Sequence, residues 1–375
     1  MGGWLYMELR VNARQLYNCL EITEKALPVR STIPIINNIL LDVAEDKMTF
    51  LATNLEMAIK VTMDKKEPGT GKILLPPKII DIMRYFPVSE ATLDINWDSY
   101  GLKVSGGSAL FNLNGADAQD YPATTLFQLN YDSTFSIEQE LLKKELKAVI
   151  FAASAEETRP AFNGVLFSFE GDKIFITASD TYRLVIKEIS NNNWSFEYCK
   201  CLVPARVLRE FLRIIEGGKE NIIIGFDNKT MSFNFNEISL SSRLLEEKYP
   251  DVRGVIPGSY KTRIKINRKQ FEEVISRAAL LTEGKNQAVN LILHDDQLEA
   301  RVSGQEGKME EILPVEQDGE NINLHVNTRF ILDILRVIDE KEMIIDFHGN
   351  EGPIIFRLID DQSYLYLVLP IKRLN

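Results

Sequence analysis

Three cysteines and three histidines in 375 residues leave this chain short of the side chains that most often build catalytic or metal centres. Cys19, Cys199 and Cys201 are too few, and odd in number, for a disulfide framework; they fit a reducing cytosol. Cys199 and Cys201 form an isolated C-x-C with no second pair, which reads as alternate strand positions rather than a zinc site. His294, His325 and His348 share no ligand or triad spacing. No nucleophile has an evident base, and neither a metal nor a cofactor is expected. Residues 68–72 (PGTGK) have the look of a phosphate loop, but Lys66 stands at the required earlier glycine and Ile73 replaces Ser or Thr. That stretch is expected to be a turn before a strand over 73–75. No apolar run approaches the ~20 residues of a membrane span. The opening MGGWLYME lacks the basic flank of a secretory signal, and Met7 is as good a start as Met1, so residues 1–6 read as an extension. A cytoplasmic protein without membrane contact is expected. Positive charge is scarce as well. Lys and Arg number 43 against 54 Asp and Glu, a net −11 that is spread over all three thirds of the chain. This excludes binding of nucleic acid through an overall cationic surface; any contact with phosphates must be local.

What the chain does have is a threefold repeat. Strand-then-helix signals open at residues 9–16 (LRVNARQL), 135–142 (FSIEQELL) and 264–271 (IKINRKQF). A second helix is announced at 74–78 (LLPPK), 202–206 (LVPAR) and 325–329 (HVNTR). Such a long period means repeated domains, organised for geometry rather than for a single cleft. Asn12 with Gln15, and Asn267 with Gln270, have the form of a capping box. Ile137, Leu141, Leu142, Leu146, Val149 and Ile150 are assigned to one buried face, as are Phe271, Val274, Ile275 and Ala278. Pro204 is expected in a first helical turn, followed by a stripe of Val207, Leu208, Phe211, Leu212, Ile214 and Ile215 that Gly217 and Gly218 stop. Strand pairs at 39–43 and 48–52, and at 165–169 and 173–177, are joined by tight polar turns, and strands return at 221–226 and 230–235. Each third is thus helix, strands, helix, strands, an internally duplicated α+β unit of antiparallel sheet with two helices. The joints are expected near 128–132 and 257–261, giving domains 1–131, 132–258 and 259–375.

Basic side chains recur on the polar helix faces: Arg206, Arg209 and Arg213 on one helix; Lys143, Lys144 and Lys147; Lys78 and Arg84; Arg268 and Arg277; Arg329 and Arg336. Singly each is a solvated face, diluted by acids such as Glu210 and Asp333. Together, six helices sharing one side would make a diffuse, salt-sensitive lining blind to base sequence. Asp295-Asp296 and Asp360-Asp361 read as solvated turn carboxylates. Residues 364–368 read as a final strand, and Pro370-Ile371 beyond it as the edge of a hydrophobic groove.

Several segments together resemble the bacterial DNA polymerase sliding clamp family, the beta subunit of the polymerase III holoenzyme. They are 32–41 (TIPIINNILL), 52–57 (ATNLEM), 157–167 (ETRPAFNGVLF), 178–184 (ASDTYRL), 249–251 (YPD) and 368–372 (VLPIK). The resemblance covers essentially everything after Met7. It implies three similar clamp domains per chain and a pseudo-sixfold ring as a head-to-tail homodimer, with helices lining the hole and sheets forming the rim. Such a ring is a processivity factor, not an enzyme. It slides on duplex DNA, independent of sequence, and tethers the replicative polymerase and other replication and repair proteins; a clamp loader opens it. Arg30, Arg206 and Arg213 are implied DNA contacts, beside Lys78, Arg84 and Arg209. A partner-peptide pocket is implied at Phe162, Thr181, Tyr182, Arg183, Leu184, Pro250 and Val255, with Arg183 at its rim. Pro353, Ile355, Val368, Leu369, Pro370 and Ile371 complete that pocket from the last domain. Phe111 and Leu113 are expected to meet Leu280 and Leu281 of a second copy. The chain departs from the family at Tyr182, where well-studied relatives have histidine, at Gly254, where they have arginine, and at Glu156, where they have a polar residue. These departures bear on peptide preference and one DNA contact. Two other readings compete: an enzyme built on carboxylates around Asp180 with Arg183, and a repeat scaffold that never meets DNA. A cytoplasmic, nucleoid-associated clamp is the expectation carried forward.

Overall fold

Asparagine side chains start the helices that open the first and last repeats. Asn12 Oδ1 accepts from the amide of Gln15, and Asn267 Oδ1 from that of Gln270, each at 3.0 Å. Asn327 does the same for Arg329 at 2.9 Å. Each bond satisfies one of the orphan amides of a first turn and holds the preceding residue extended, so that a strand runs straight into a helix. The computed structural model describes residues 6–122, 126–127, 131–156, 158–282, 287–304 and 307–372. The predicted joint at 128–132 therefore lies in part outside the described residues, as does most of the proposed extension 1–6.

The first repeat begins with β1 (Tyr6–Asn12), α1 (Ala13–Glu24), β2 (Ile39–Val43), β3 (Lys47–Thr53) and β4 (Met57–Asp64). It continues with β5 (Gly71–Leu75), α2 (Lys78–Arg84), β6 (Glu90–Asn96), β7 (Gly101–Gly106) and β8 (Ala109–Asn114). The second opens with β9 (Ser133–Glu138), α3 (Gln139–Ile150), β10 (Gly164–Gly171), β11 (Lys173–Ser179) and β12 (Arg183–Ser190). Then come β13 (Phe196–Pro204), α4 (Ala205–Ile214), β14 (Asn221–Phe226), β15 (Thr230–Phe235) and β16 (Ile238–Arg243). The third opens with β17 (Thr262–Asn267), α5 (Arg268–Leu280), β18 (Ala288–His294), β19 (Gln297–Gly304) and β20 (Gly307–Pro314). A short added strand β21 (Glu316–Gly319) precedes β22 (Ile322–Asn327), α6 (Thr328–Leu335), β23 (Glu342–Phe347), β24 (Ile354–Leu358) and β25 (Tyr364–Val368). The α+β class and the threefold repeat are as expected.

These elements form two compact units, Met1–Glu140 with Arg213–Leu244, and Leu141–Leu212 with Leu245–Asn375. The first holds a four-stranded sheet, β1-β6-β7-β8, and an eight-stranded sheet, β5-β2-β3-β4-β16-β15-β14-β9. The second holds a nine-stranded sheet, β13-β10-β11-β12-β25-β24-β23-β17-β21, and a four-stranded sheet, β20-β19-β18-β22. The middle repeat gives strands to both. In the first unit α1 packs on α2 and on the β3–β4 hairpin; in the second α5 packs on α6. Among the described residues no helix is long and apolar enough to cross a membrane.

Several local expectations change in the folded chain. Pro204 ends β13, opposite Gly164, and α4 begins after it. A strand terminus tolerates the missing N–H as well as a first helical turn does. Ile137 is buried on β9 rather than on α3, and Leu141 is exposed. Leu142, Leu146, Val149 and Ile150 already complete the buried face at spacings of three and four, and Leu141 points about 100° away from Leu142. Leu212 is only half-buried in the α4 stripe. Gly217 and Gly218 follow α4 with φ of 94° and 109°, as expected of a helix stop. Asp295 and Asp296 form the two-residue turn between β18 and β19 with φ of 50° and 59°.

Asp361 is only partly solvated, and its carboxylate is held by protein partners. Its Oδ2 lies 2.5 Å from Lys187 Nζ, which also meets Glu145 Oε2 at 3.4 Å and donates to Ser363 Oγ at 2.8 Å. Lys187 and Glu145 are both buried, so this cluster ties α3 and β12 to the segment entering β25. Burial opposes ionisation of Asp361, but the bonds from Lys187 and Ser363 outweigh it and hold its pKa below the ordinary value. Burial raises the pKa of Glu145 despite Lys187. The two carboxyls therefore act with opposite sign in acid. A lowered folded pKa gives stability above the ordinary aspartate range that is lost as pH falls through it, whereas Glu145 gains as it protonates. Asp361→Asn should therefore unfold at lower urea than the parent at pH 7. That gap should close as the pH is taken below the ordinary aspartate range; a gap independent of pH would remove Asp361 from the argument.

Candidate partner-binding pocket

The turn between β11 and β12 is built by its own side chains. Ser179 Oγ donates to the Arg183 carbonyl at 2.7 Å and accepts from Thr181 N at 3.1 Å. Asp180 Oδ1 accepts from the amides of Tyr182 and Arg183, both at 3.0 Å. These bonds hold Thr181 at φ 80°, a conformation that costs a β-branched residue roughly 1–2 kcal/mol. Tyr182 is left 61% exposed at the tip. The first repeat has the same turn. Thr53 Oγ1 bonds Met57 O and Leu55 N at 2.9 and 3.0 Å, Asn54 Oδ1 accepts from Glu56 and Met57, and Leu55 has φ 73°. The turn is thus shared by the first two repeats, and the side chains it presents make the difference.

Arg183 is the main difference. The sequence reading puts it at the pocket rim, but its side chain is only 7% exposed. Nε donates to Asp180 Oδ2 at 2.9 Å, Nη1 to Asp333 Oδ2 at 2.5 Å, and Nη2 to the Phe151 carbonyl at 2.8 Å. The guanidinium lies 4.5 Å from the Phe330 ring centre and 5.4 Å from that of Phe151. Burial opposes its charge, but Tyr366, Asp333 and Asp180 outweigh burial and raise its pKa. Arg183 therefore binds the turn to α6 and to the end of α3 and leaves no free fork for a ligand. The same bonds occupy Asp180, which counts against an acid–base site there.

Beside the turn lies an apolar wall. Leu184, Ile355 and Leu367 form one buried cluster, with Ile186, Val252, Ile256 and Leu365 packed against it. Leu166, Leu202 and Tyr249 form another, with Phe162, Leu245 and Val252 against it. Phe162 meets Tyr249 edge to face at 5.5 Å, and Val252 belongs to both clusters. Cross-strand register explains the first cluster, since Leu184 pairs with Leu367 and Leu367 with Ile355. Of the predicted pocket residues, Tyr182, Pro250, Val255, Leu369 and Ile371 are exposed, and Phe162, Thr181, Pro353 and Pro370 are half-buried. Leu184, Ile355 and Val368 are buried, and Val368, paired with Arg183, faces away from Leu367. The tail is fixed by Leu369 N on the Tyr182 carbonyl at 2.9 Å and Ile371 N on the His325 carbonyl at 2.7 Å. Sequence reasoning missed Leu367, Leu365, Ile186, Val252 and Ile256. Period-two alternation over 364–368 carried the signal for the first two.

The predicted DNA-facing cations differ in their surroundings. Arg30 is exposed in the loop after α1, and Arg206, Arg209 and Arg213 are exposed on α4. Lys78 pairs with Asp81 at 3.0 Å, and Arg84 donates from Nε to Tyr17 Oη at 3.2 Å. Arg268 is not on a solvated face; it binds Glu272 Oε2 at 2.7 Å and the carbonyls of Leu335 and Glu340. Arg277 pairs with Glu311. Of the candidate interface residues, Phe111 is exposed on β8 and Leu280 is 77% exposed at the last position of α5. Leu113 and Leu281 are half-buried.

Family models describing the DNA polymerase III beta subunit match the chain three times. The N-terminal domain matches residues 7–125, the central domain 136–251 and the C-terminal domain 253–372. The chain belongs to the DNA polymerase III beta subunit family. The beta sliding clamp of Staphylococcus epidermidis (strain RP62A) is 30% identical to this beta subunit over 98% of this chain and 99% of its own length. The crystal structure of the Bacillus subtilis DNA polymerase sliding clamp superposes with a TM-score of 0.93 at 28% identity, covering 98% of this chain and all of that one. The Thermotoga maritima beta subunit gives 0.88 at 25% identity, covering 98% and 99%. The beta subunit is accordingly a sliding clamp and processivity factor, and it is not an enzyme.

If Arg183 and Asp333 act as one unit, Arg183→Ala should destabilise the beta subunit by about 3 kcal/mol or more, because two carboxylates lose their partner. Asp333→Ala added to it should cost less than the sum of the single changes, by urea unfolding. Strict additivity would break the assigned link between the turn and α6.

Proposed function

We propose that this beta subunit works as a head-to-tail homodimeric ring around duplex DNA, with clamp domains 1–131, 132–258 and 259–375 in each copy. The observation that carries this reading is a pair of open strand edges with exposed apolar side chains. β8 ends one four-stranded sheet and carries Leu110 and Phe111, 57% and 37% exposed. β20 ends the other and carries Ile312, 56% exposed, with Leu280 of the same unit 77% exposed. A bare edge with apolar side chains invites pairing with another chain. β8 of one copy on β20 of the next, with Phe111 and Leu113 against Leu280 and Leu281, makes a heterologous contact that two copies close.

Arg30, Lys78, Arg84, Arg206, Arg209 and Arg213 touch phosphates in the hole without reading bases. A topological link needs no tight grip, which suits a chain of net charge −11. The replicative polymerase, the clamp loader and other motif-bearing proteins dock by peptides on the apolar wall around Leu184, Leu367 and Ile355. Pro250, Val255, Leu369 and Ile371 offer exposed anchoring surface there, and Tyr182 orients the peptide. A Cβ added at Gly254 would meet nothing within 4 Å, so this wall has room for a bulkier anchor. The clamp acts in the cytoplasm, at the nucleoid.

Loaded protein should remain on nicked circular DNA and leave once the circle is cut; equal retention on both forms would refute the ring. Phe111→Asp should shift the mass in solution from dimer to monomer while the far-UV circular dichroism of the folded chain is kept. Unchanged dimerisation would place the interface elsewhere.

A further inference from the structure

A cavity of about 240 Å³ opens on the same face of the nine-stranded sheet as the apolar wall, beside the segment Pro250 to Arg253. Ile186 and Val252 line it and also pack on the Leu184 cluster. Leu166 lines it and belongs to the Tyr249 cluster. Leu184 and Ile186 are two apart on β12 and share a face, so the wall runs into the cavity without a break. Leu166, Phe175 and Ile186 form the apolar part of the cavity floor, with the buried hydroxyl residues Ser168 and Thr177 between them.

Its charged rim is largely satisfied from within. Arg253 Nη2 lies 3.2 Å from Glu170 Oε1, and its guanidinium sits 4.6 Å from the Phe175 ring centre. Asp251 Oδ1 accepts from Arg253 N at 3.1 Å. Of the two rim cations, Lys200 is the one without a carboxylate: its ammonium lies 5.7 Å from the Tyr198 ring centre and, among the described residues, has no carboxylate within 4 Å. Three apolar side chains on the floor, with a cation free of carboxylate partners at the edge, suit an apolar side chain followed by an acidic one.

Resting on the pocket reading above, we propose that the docked partner peptide does not end at the apolar wall. It continues over Pro250 into this cavity, where it seats one aliphatic or aromatic side chain and sets a carboxylate on Lys200. The peptide class is thereby narrowed to segments whose apolar anchors are flanked by an apolar-acidic extension. Lys200 is a specificity-determining residue of that extension and leaves the anchors untouched.

The test uses the full-length dimer and fluorescence anisotropy with synthetic peptides. One peptide carries leucine and phenylalanine anchors alone; two others add Leu-Asp-Glu at one end or the other. One lengthened peptide should bind roughly fivefold more tightly than the short one, a gain that shrinks with added salt. Lys200→Glu should abolish that gain and leave the short peptide unchanged; Lys200→Gln should remove its salt dependence. The proposal is overturned if neither extension adds affinity, or if the gain survives in Lys200→Glu. Should the short peptide itself fail to bind, the pocket reading falls and this proposal with it.

Discussion

Two antiparallel pairings, β4 with β16 and β12 with β25, join strands far apart in sequence, and the eight- and nine-stranded sheets depend on them. In the second unit the last strand of the chain inserts between β12 and β24, from Arg183 opposite Val368 to Lys187 opposite Tyr364. Without it, β12 and β24 would each keep a bare edge, and the nine-stranded sheet would be two pieces. The insertion also brings Leu184, Leu367 and Ile355 side by side. The apolar wall is therefore a consequence of strand register and needs no dedicated loop.

The two junctions share a backbone and differ in what they bury. Arg243 N bonds the Glu56 carbonyl at 2.8 Å in the first unit, as Leu369 N bonds that of Tyr182 in the second. Met57 closes the first turn with an apolar side chain, whereas Arg183 brings a charge indoors. A buried guanidinium survives only when its donors are spent and its charge is balanced, and Asp180, Asp333 and the Phe151 carbonyl do both. One substitution within a repeated turn thus ties the turn that presents Tyr182 to α6. The same logic governs Lys187, shared between Glu145 and Asp361.

Much of this was legible in the chain because its causes are local. Asn12 and Asn267 cap helices through amides three residues on, and hairpin turns and period-two alternation act within a few residues. Errors came where the deciding partner is distant. Asp333 is 150 residues from Arg183, and Asp361 is 174 from Lys187, so no local pattern marks Arg183 or Lys187 as a buried charge. Leu141 was misplaced for a different reason: on α3 the neighbouring Leu142 sits where the core is. The family likeness names Val368 and not Leu367, yet the pleat turns Val368 to the face opposite the wall.

Sequence by itself determined the repeat, the element order, the helix caps and membership of the beta-subunit family. Each rests on short-range periodicity or on residue identity. Only the tertiary structure decided which strands meet across the repeats, which face each pocket side chain takes and which cations are already spent. Those outcomes follow from long-range pairing and from charge balance in a buried environment, and neither leaves a mark on any single stretch of chain.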